Sequence, residues 1–321
     1  MSHSPGAGRW PPRPRLSRHF YKAHGLGNDY LVFERDETPG GREFSWRATA
    51  EHVRRVCDPH RGVGADGIVV VAPDDRHDVD THARVALRMF NPDGGEFERS
   101  GNGLRVLASC LASRDPMIDV IDARVGGAEV RMQVHGRQAG TFDISVDMGT
   151  PGVGPEAILA DPALLAGDGP PFTMLGPDDT VLHVVPISVG NPHLVVLAEP
   201  SGVDFTEEWF APLGRFLSTH PAIAHGTNVQ LARVSEGRAE ACIWERGVGR
   251  TSASGTSSCA VAVALVLVGG LDPGEIMVEM PGGRMQVTVD ASLNVRLRGP
   301  VESIMTGTLE QGLLATFERE S

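Results

Sequence analysis

Clustered cysteine is the first thing this sequence lacks. Its 321 residues hold only Cys57, Cys110, Cys242 and Cys259, with no CxxC pair and no metal-type spacing, which argues against a cysteine-built metal site. Positive charge is also short: 29 Lys and Arg face 41 Asp and Glu, a net charge of −12. That balance argues against a nucleic-acid-binding surface, which needs clustered Lys and Arg. A small anionic substrate stays open, because it needs only a local pocket. No run reaches the roughly 18 apolar residues of a membrane helix, and the N-terminus has no apolar signal core. The expectation is a cytoplasmic protein with reduced thiols and neither membrane nor nucleic-acid partners.

What is present suffices for two cores, with 41% hydrophobic residues along this length. Residues 1–18 are rich in Pro, Gly, Ser and Arg and read as a disordered tail. Strand patterns begin over 19–34 and recur at Ile68–Ala72, Val184–Ser188 and His193–Leu197, divided by Gly and Pro clusters. Two segments break the pattern and resemble each other. The first is Ser100-Gly101-Asn102-Gly103, whose following Leu104, Leu107, Ala108 and Leu111 mark one face of a helix. The second is Ser254-Gly255-Thr256, running through Cys259 into AVAVALVLV and then Gly269-Gly270. It is apolar all round, as a fully buried helix with a glycine cap would be. Each follows a strand candidate, Arg84–Phe90 or Arg238–Glu245, which suggests duplicated domains facing one another.

A helix start leaves backbone N–H groups unpaired and carries partial positive charge, so it can cradle a carboxylate. Glycine beside it lets a ligand approach closely. Two such tips meeting head to head would hold one carboxylate, with a residue at each tip on opposite faces of the adjoining α-carbon. That arrangement suits inversion of a stereocentre, one group removing a proton and another delivering one from behind. Taken singly, each Ser-Gly start is ordinarily just a helix cap.

An ordered set of motifs then identifies the family. It runs Phe20–Tyr30 (FYKAHGLGNDY), Arg61–Gly67 (RGVGADG), Phe90–Gly94 (FNPDG) with Ser100–Gly103, and Gly190–His193 (GNPH). It ends with Asn228-Val229, Glu245-Arg246-Gly247 and Ser254-Gly255-Thr256. Across about residues 19–319 the chain resembles diaminopimelate epimerase. Gly62–Gly67 also fits GxGxxG, but a strand rather than a helix follows it, so no dinucleotide fingerprint is read there.

The resemblance implies an α+β fold of two similar domains, each a mostly antiparallel curved sheet or barrel around a central helix. The expected domains are 19–145 plus 303–321 and 146–302, with a C-terminal strand around Thr306–Phe317 returning to the first. The helices would be Leu104–Ala112 and Cys259–Val268, with the active site in the cleft between domains. The resemblance also implies a cofactor-independent, metal-free isomerase acting on an amino acid; a homodimer is the expected partner assembly. The family's two acid–base cysteines fall on Ser100 and Ser254. The α-carboxylate would sit on the amides of Gly101, Asn102, Gly255 and Thr256. Glu245 would hold the substrate ammonium and Arg246 the distal carboxylate, a guanidinium being matched to bidentate contact. Asn28, Asn91, Asn191 and Asn228 would complete the polar lining. Without the resemblance, Asn28, Asn91 and Asn191 read as turn residues. His24 and His193 are left out as ordinary buried histidines.

The serines depart from the pattern. A thiol near pKa 8.5 can be brought into working range by a helix N-terminus. An alcohol is a neutral donor and acceptor at pH 7, and the dipole's limit of about 2 kcal/mol, roughly 1.5 pKa units, does not ionise it. Three accounts stay open. The chain is a natural isomerase or dehydratase whose serines are assisted by groups such as Glu245, a laboratory Cys→Ser double variant, or a binding protein without turnover. Arg250 and Ser257 depart too, standing where the family usually has Glu and Gly. Cys259 lies about 140° round the helix from Ser254 and reads as packing.

Overall fold

The structure, a computed structural model, describes residues 14–36, 45–73, 82–97 and 99–319. Its first strand, Arg15–Gly25, begins earlier than the sequence suggests. Residues 15–18 were expected in the disordered tail, but Leu16 pairs with Arg35 and Trp46 and is fully buried. One apolar side chain committed to the core outweighs the Pro- and Arg-rich composition around it; residues 1–13 lie outside the described residues. The 19–34 stretch is a hairpin rather than one strand. Asn28–Arg35 turns back after Leu26 and Gly27, both at positive φ (54° and 88°), the conformation a two-residue hairpin turn demands.

The two halves repeat one topology. In the first, Asn28–Arg35 crosses through helix Ala50–Cys57 to the parallel strand Ile68–Pro73. That strand pairs antiparallel with His82–Phe90, which crosses through helix Gly101–Arg114 to the parallel strand Val120–Val125. In the second, Pro192–Leu197 crosses through Glu207–Ser218 to Asn228–Ser235. Arg238–Glu245 then pairs antiparallel and crosses through helix Gly255–Leu267 to Gly274–Met280. The remaining pairs are mostly antiparallel, and the result is an α+β fold dominated by strands. The strand candidates at Ile68, Arg84, Val184, His193 and Arg238 all lie in observed strands.

The strand Val295–Thr308 ties the halves together. Its first part pairs with Gly283–Val289 and with Thr141–Gly149, and its last part pairs with Arg15–Gly25. The C-terminal strand expected around Thr306–Phe317 is corrected here, for the chain leaves the sheet at Thr308 and forms helix Gln311–Arg319. Phe317 on that helix stacks on His52 and meets Trp46, closing the outer face of the first sheet.

Each central helix is enclosed by strands of its own half. The second is buried as expected, from Gly255 through Leu265, with Gly269 at φ 71° ending it. The first differs from its one-faced periodicity. Val106, Arg105 and Ser109 are as buried as Leu104 and Leu107, because the sheet wraps the whole circumference. Truncating a leucine at such a site to alanine costs about 2–5 kcal/mol.

Candidate active site

Both central helices begin the same way. Ser100 precedes Gly101 at φ −132°, ψ 119°, and Ser254 precedes Gly255 at φ −149°, ψ 129°, extended conformations that let each serine stand as the N-cap. The tips abut. A Cβ on Gly101 and one on Gly255 would each fall 2.8 Å from the same atom, Leu297 Cδ2, and the one on Gly255 would also lie 3.8 Å from the Asn102 amide nitrogen. A side chain at either position would have to displace Leu297, so glycine keeps this approach open. The caps then diverge. Ser100 Oγ accepts from the Gly103 amide at 3.0 Å, whereas the Ser254 side chain makes no capping bond. The amides of Gly101, Asn102, Gly255 and Thr256 have no acceptor among the described residues, leaving unpaired N–H groups on both tips.

Strand ends bring Asn28, Asn191 and Glu245 to these tips, against Asn102, Thr256 and Ser254. Asn28 opens its strand, donates to Asp66 Oδ2 at 3.2 Å, and receives Asn102 Nδ2 on its carbonyl (2.6 Å) and Oδ1 (2.8 Å). The Asn102 side chain is thereby spent inside the protein, and only its backbone amide is available. Asn228 donates to the Pro192 carbonyl at 3.0 Å and accepts from the Arg246 amide at 2.9 Å, fixing the turn that carries Glu245 and Arg246. Arg246 Nη1 donates to the His225 carbonyl at 2.7 Å and is otherwise exposed. Asn191 donates weakly to Thr256 Oγ1 at 3.4 Å and accepts from His193 at 2.9 Å. Asn91 stands apart, heading an exposed turn closed by its amide to Gly95 and by Gly94 to its carbonyl.

Glu245 ends its strand facing Ser254. Burial raises its pKa, against the opposing pull of the Ser254 and Thr251 hydroxyls, and the Asp66 charge adds to the rise. The Thr251 contact is loose, since that oxygen is buried without a well-formed hydrogen bond. On the other side, the buried Tyr30 ring lies against the first turn, 3.3 Å from a Cβ placed on Gly103, with its hydroxyl toward Ser100. Burial raises this phenol's pKa, so it is a proton donor and never an anion at neutral pH. The two serines thus have unlike neighbours, a carboxyl group and a phenol.

Sequence reasoning missed Tyr30, Asp66, Thr251 and Gln230. Tyr30 and Asp66 sit inside the motifs quoted above, so the signal was there, but nothing local says which motif residues face the helix tips. Gln230 donates to both His193 Nδ1 (3.1 Å) and Ser257 Oγ (3.0 Å), which gives the departure at Ser257 a place in the core. His193 is fully buried, its pKa lowered to about 3 chiefly by that burial, and it is neutral, as expected of a structural histidine. Arg250, the other departure, pairs with Glu207 at the surface. All four cysteines are buried and free, with burial pushing their thiols up to about 11 or 12, Cys259 included. None is a poised thiolate.

Among the described residues no group of three or more His, Cys, Asp or Glu is placed to hold a metal ion, and no helix is long and apolar enough to cross a membrane. An open cavity of about 330 Å³ lies on the sheet flank between Asp143, Glu275, Arg284 and Arg298, and it contains none of the residues above.

The same chain can be set beside known proteins. The sequence profile of the family described as diaminopimelate epimerase matches residues 20–153 and 185–305. A diaminopimelate epimerase of Pelotomaculum thermopropionicum is 32% identical over 304 residues, covering 90% of this chain and 98% of the relative. One from Prochlorococcus marinus is 35% identical over 297 residues, covering 90% and 92%. Among solved structures, a hydroxyproline epimerase from Agrobacterium vitis matches 94% of this chain and 93% of its own with a TM-score of 0.61 at 14% identity. A predicted epimerase from Pseudomonas aeruginosa matches 91% and 99% with a TM-score of 0.58 at 19% identity. These two show the shared fold alone. With both halves matched, and the similarity running along nearly the full length of each epimerase, the chain belongs to the diaminopimelate epimerase family.

Proposed function

We propose that this isomerase inverts the α-carbon of an amino acid without a cofactor, most simply converting LL-diaminopimelate to its meso form. The substrate α-carboxylate sits on the amides of Gly101, Asn102, Gly255 and Thr256. Ser100 and Ser254 flank the α-carbon, one side taking its proton while the other returns one to the opposite face. The carboxyl group of Glu245 receives the substrate ammonium and assists Ser254. Arg246, Asn28, Asn191 and Asn228 shape the distal end, and Asn91 lines the site only if its turn closes over the ligand. The reading carries with it the division into 19–145 plus 303–321 and 146–302, supported by the strand Val295–Thr308 changing partners along its length.

The observation that supports this most is the abutting pair of helix tips, each with a serine at the N-cap position in a similar extended conformation. The test is incubation with LL-diaminopimelate in heavy water. Incorporation of deuterium at the α-carbon with appearance of the meso isomer is expected, and neither appearing sinks this substrate. The second reading, an amino-acid-binding homologue without turnover, is favoured by the two neutral alcohols with no poised thiol beside them. It gives thermal stabilisation by the amino acid with no solvent exchange. A keto-acid product from a hydroxy-amino acid would instead mark a dehydratase.

A further inference from the structure

Arg105 heads the large side chains that the fold buries completely. It lies on the first central helix just beyond the capped turn, and long helical side chains lean back toward the N-terminus. Its guanidinium accordingly reaches the helix tips. Nη2 donates to Asn102 Oδ1 at 3.0 Å, and Nη1 lies 3.8 Å from the Met285 sulfur. A Cβ on Gly255 would stand 3.6 Å from Nη1, and one on Gly25 only 2.7 Å from Nη2. Nε is buried without a hydrogen-bond partner among the described residues.

No carboxylate among the described residues answers this charge. Burial lowers the Arg105 pKa to about 10, so the group stays cationic at neutral pH, and the group pulling it back up is the Cys259 thiol, itself held neutral by burial. A buried cation without a counter-ion is costly. Placing it beside two helix N-termini makes matters worse, because both carry partial positive charge. Holding Asn102 does not require it, since a neutral amide donor could do the same. Among the described residues this corner holds no anion, and the unpaired amides of both tips stand around it.

We infer that Arg105 is a positioning residue that supplies the buried counter-charge for the substrate carboxylate carried on the two helix tips. The inference rests on the reading that the tips hold a carboxylate. When the α-proton leaves, its electron pair spreads into that carboxylate, and the fixed cation behind the tips favours the extra negative charge without touching the substrate.

The test uses Arg105→Met, which keeps bulk and removes charge, and Arg105→Lys, which keeps charge on a different head. Two quantities are read: thermal unfolding of the unliganded protein, and calorimetric affinity for pimelate, the skeleton of diaminopimelate without its amino groups. Expected are an R105M midpoint no lower than that of the unsubstituted protein and a pimelate affinity weakened roughly a hundredfold, the scale of a unit charge felt across several ångströms of protein interior. R105K should stay within about tenfold of the original affinity. A purely structural arginine gives the opposite pattern, a lower midpoint with unchanged affinity, and that result overturns the inference. So does absence of pimelate binding by the unsubstituted protein. Should R105M not fold, Arg105→Gln decides, removing the charge but keeping an amide donor for Asn102: weakened pimelate affinity in the folded variant supports the role, and unchanged affinity refutes it. Failure of α-deuterium exchange with pimelate binding intact would remove the epimerase reading while leaving this one standing.

Discussion

Replacing Ser100 and Ser254 with cysteine, singly and together, separates what these serines do for stability from what they do for chemistry. Ser100 Oγ accepts the Gly103 amide at 3.0 Å while Ser254 caps nothing with its side chain. Sulfur is a poor acceptor, so Ser100→Cys forfeits a helix cap worth about 1 kcal/mol, a fall in midpoint of about 2 °C in a chain this long. Ser254→Cys should leave the midpoint unchanged. The chemical effect runs the other way. A thiol starts near pKa 8.5, and about 2 kcal/mol of stabilisation at a helix tip, roughly 1.5 units at 1.36 kcal/mol each, brings it near 7. Both positions are only half-buried, so they escape the full desolvation that drives Cys110 and Cys259 up to about 12. General acid–base catalysis contributes 10²–10⁴-fold, so the double variant should exchange the α-proton of LL-diaminopimelate at least about a hundredfold faster, read by NMR in heavy water. A folded, ligand-binding double variant with no gain would refute the reasoning that the pocket awaits an ionisable group. Equal loss of midpoint in the two single variants would refute the capping argument.

Three further outcomes follow from burial. Glu245 has a raised pKa in the folded protein; its native form favours the proton, so its stabilising contribution is present at low pH and lost as pH rises through the folded value. Glu245→Gln should therefore gain stability relative to the parent as pH goes from about 4 to about 8, measured by urea unfolding, while losing exchange activity; parallel pH profiles would count against it. His193 is pulled from 6.5 down to about 3, so the stability it contributes is complete above pH 6.5 and drains away as pH falls toward 3. At 1.36 kcal/mol per unit the full loss approaches roughly 4–5 kcal/mol, and His193→Gln should flatten the acid limb of the urea profile. Leu16→Ala should cost about 2–5 kcal/mol, since Leu16 is fully buried between Arg35 and Trp46; a loss below 1 kcal/mol would return residues 15–18 to the tail.

Leu16 also shows where reading from sequence stops. Its neighbours are Pro- and Arg-rich, and only pairing with Trp46, some thirty positions away, gives its side chain a place to be buried. The tail of the chain fails for the same reason. The apolar residues after Thr308 fit a strand locally, and the helix at Gln311–Arg319 is chosen by the docking of Phe317 on His52 and Trp46. At the site, the glycines and serines of the helix tips were legible because their spacing relative to the helices is local. Asn102 is assigned to the ligand through its backbone amide, which stays unpaired among the described residues, but its side chain's commitment to Asn28 and Arg105 was not legible.

By itself the sequence determined most of the strands, the two central helices with Ser-Gly starts, the all-round burial of the second and the family to which the motifs belong. Each of these depends on periodicity or on neighbours within a few positions. Tertiary structure alone decided that the tips abut on Leu297, that Ser100 faces a phenol, and that Arg105 is enclosed with no carboxylate beside it among the described residues. The tip contact joins residues of opposite halves and the Ser100 contact reaches back to Tyr30, and contacts across such separations leave no trace in local pattern.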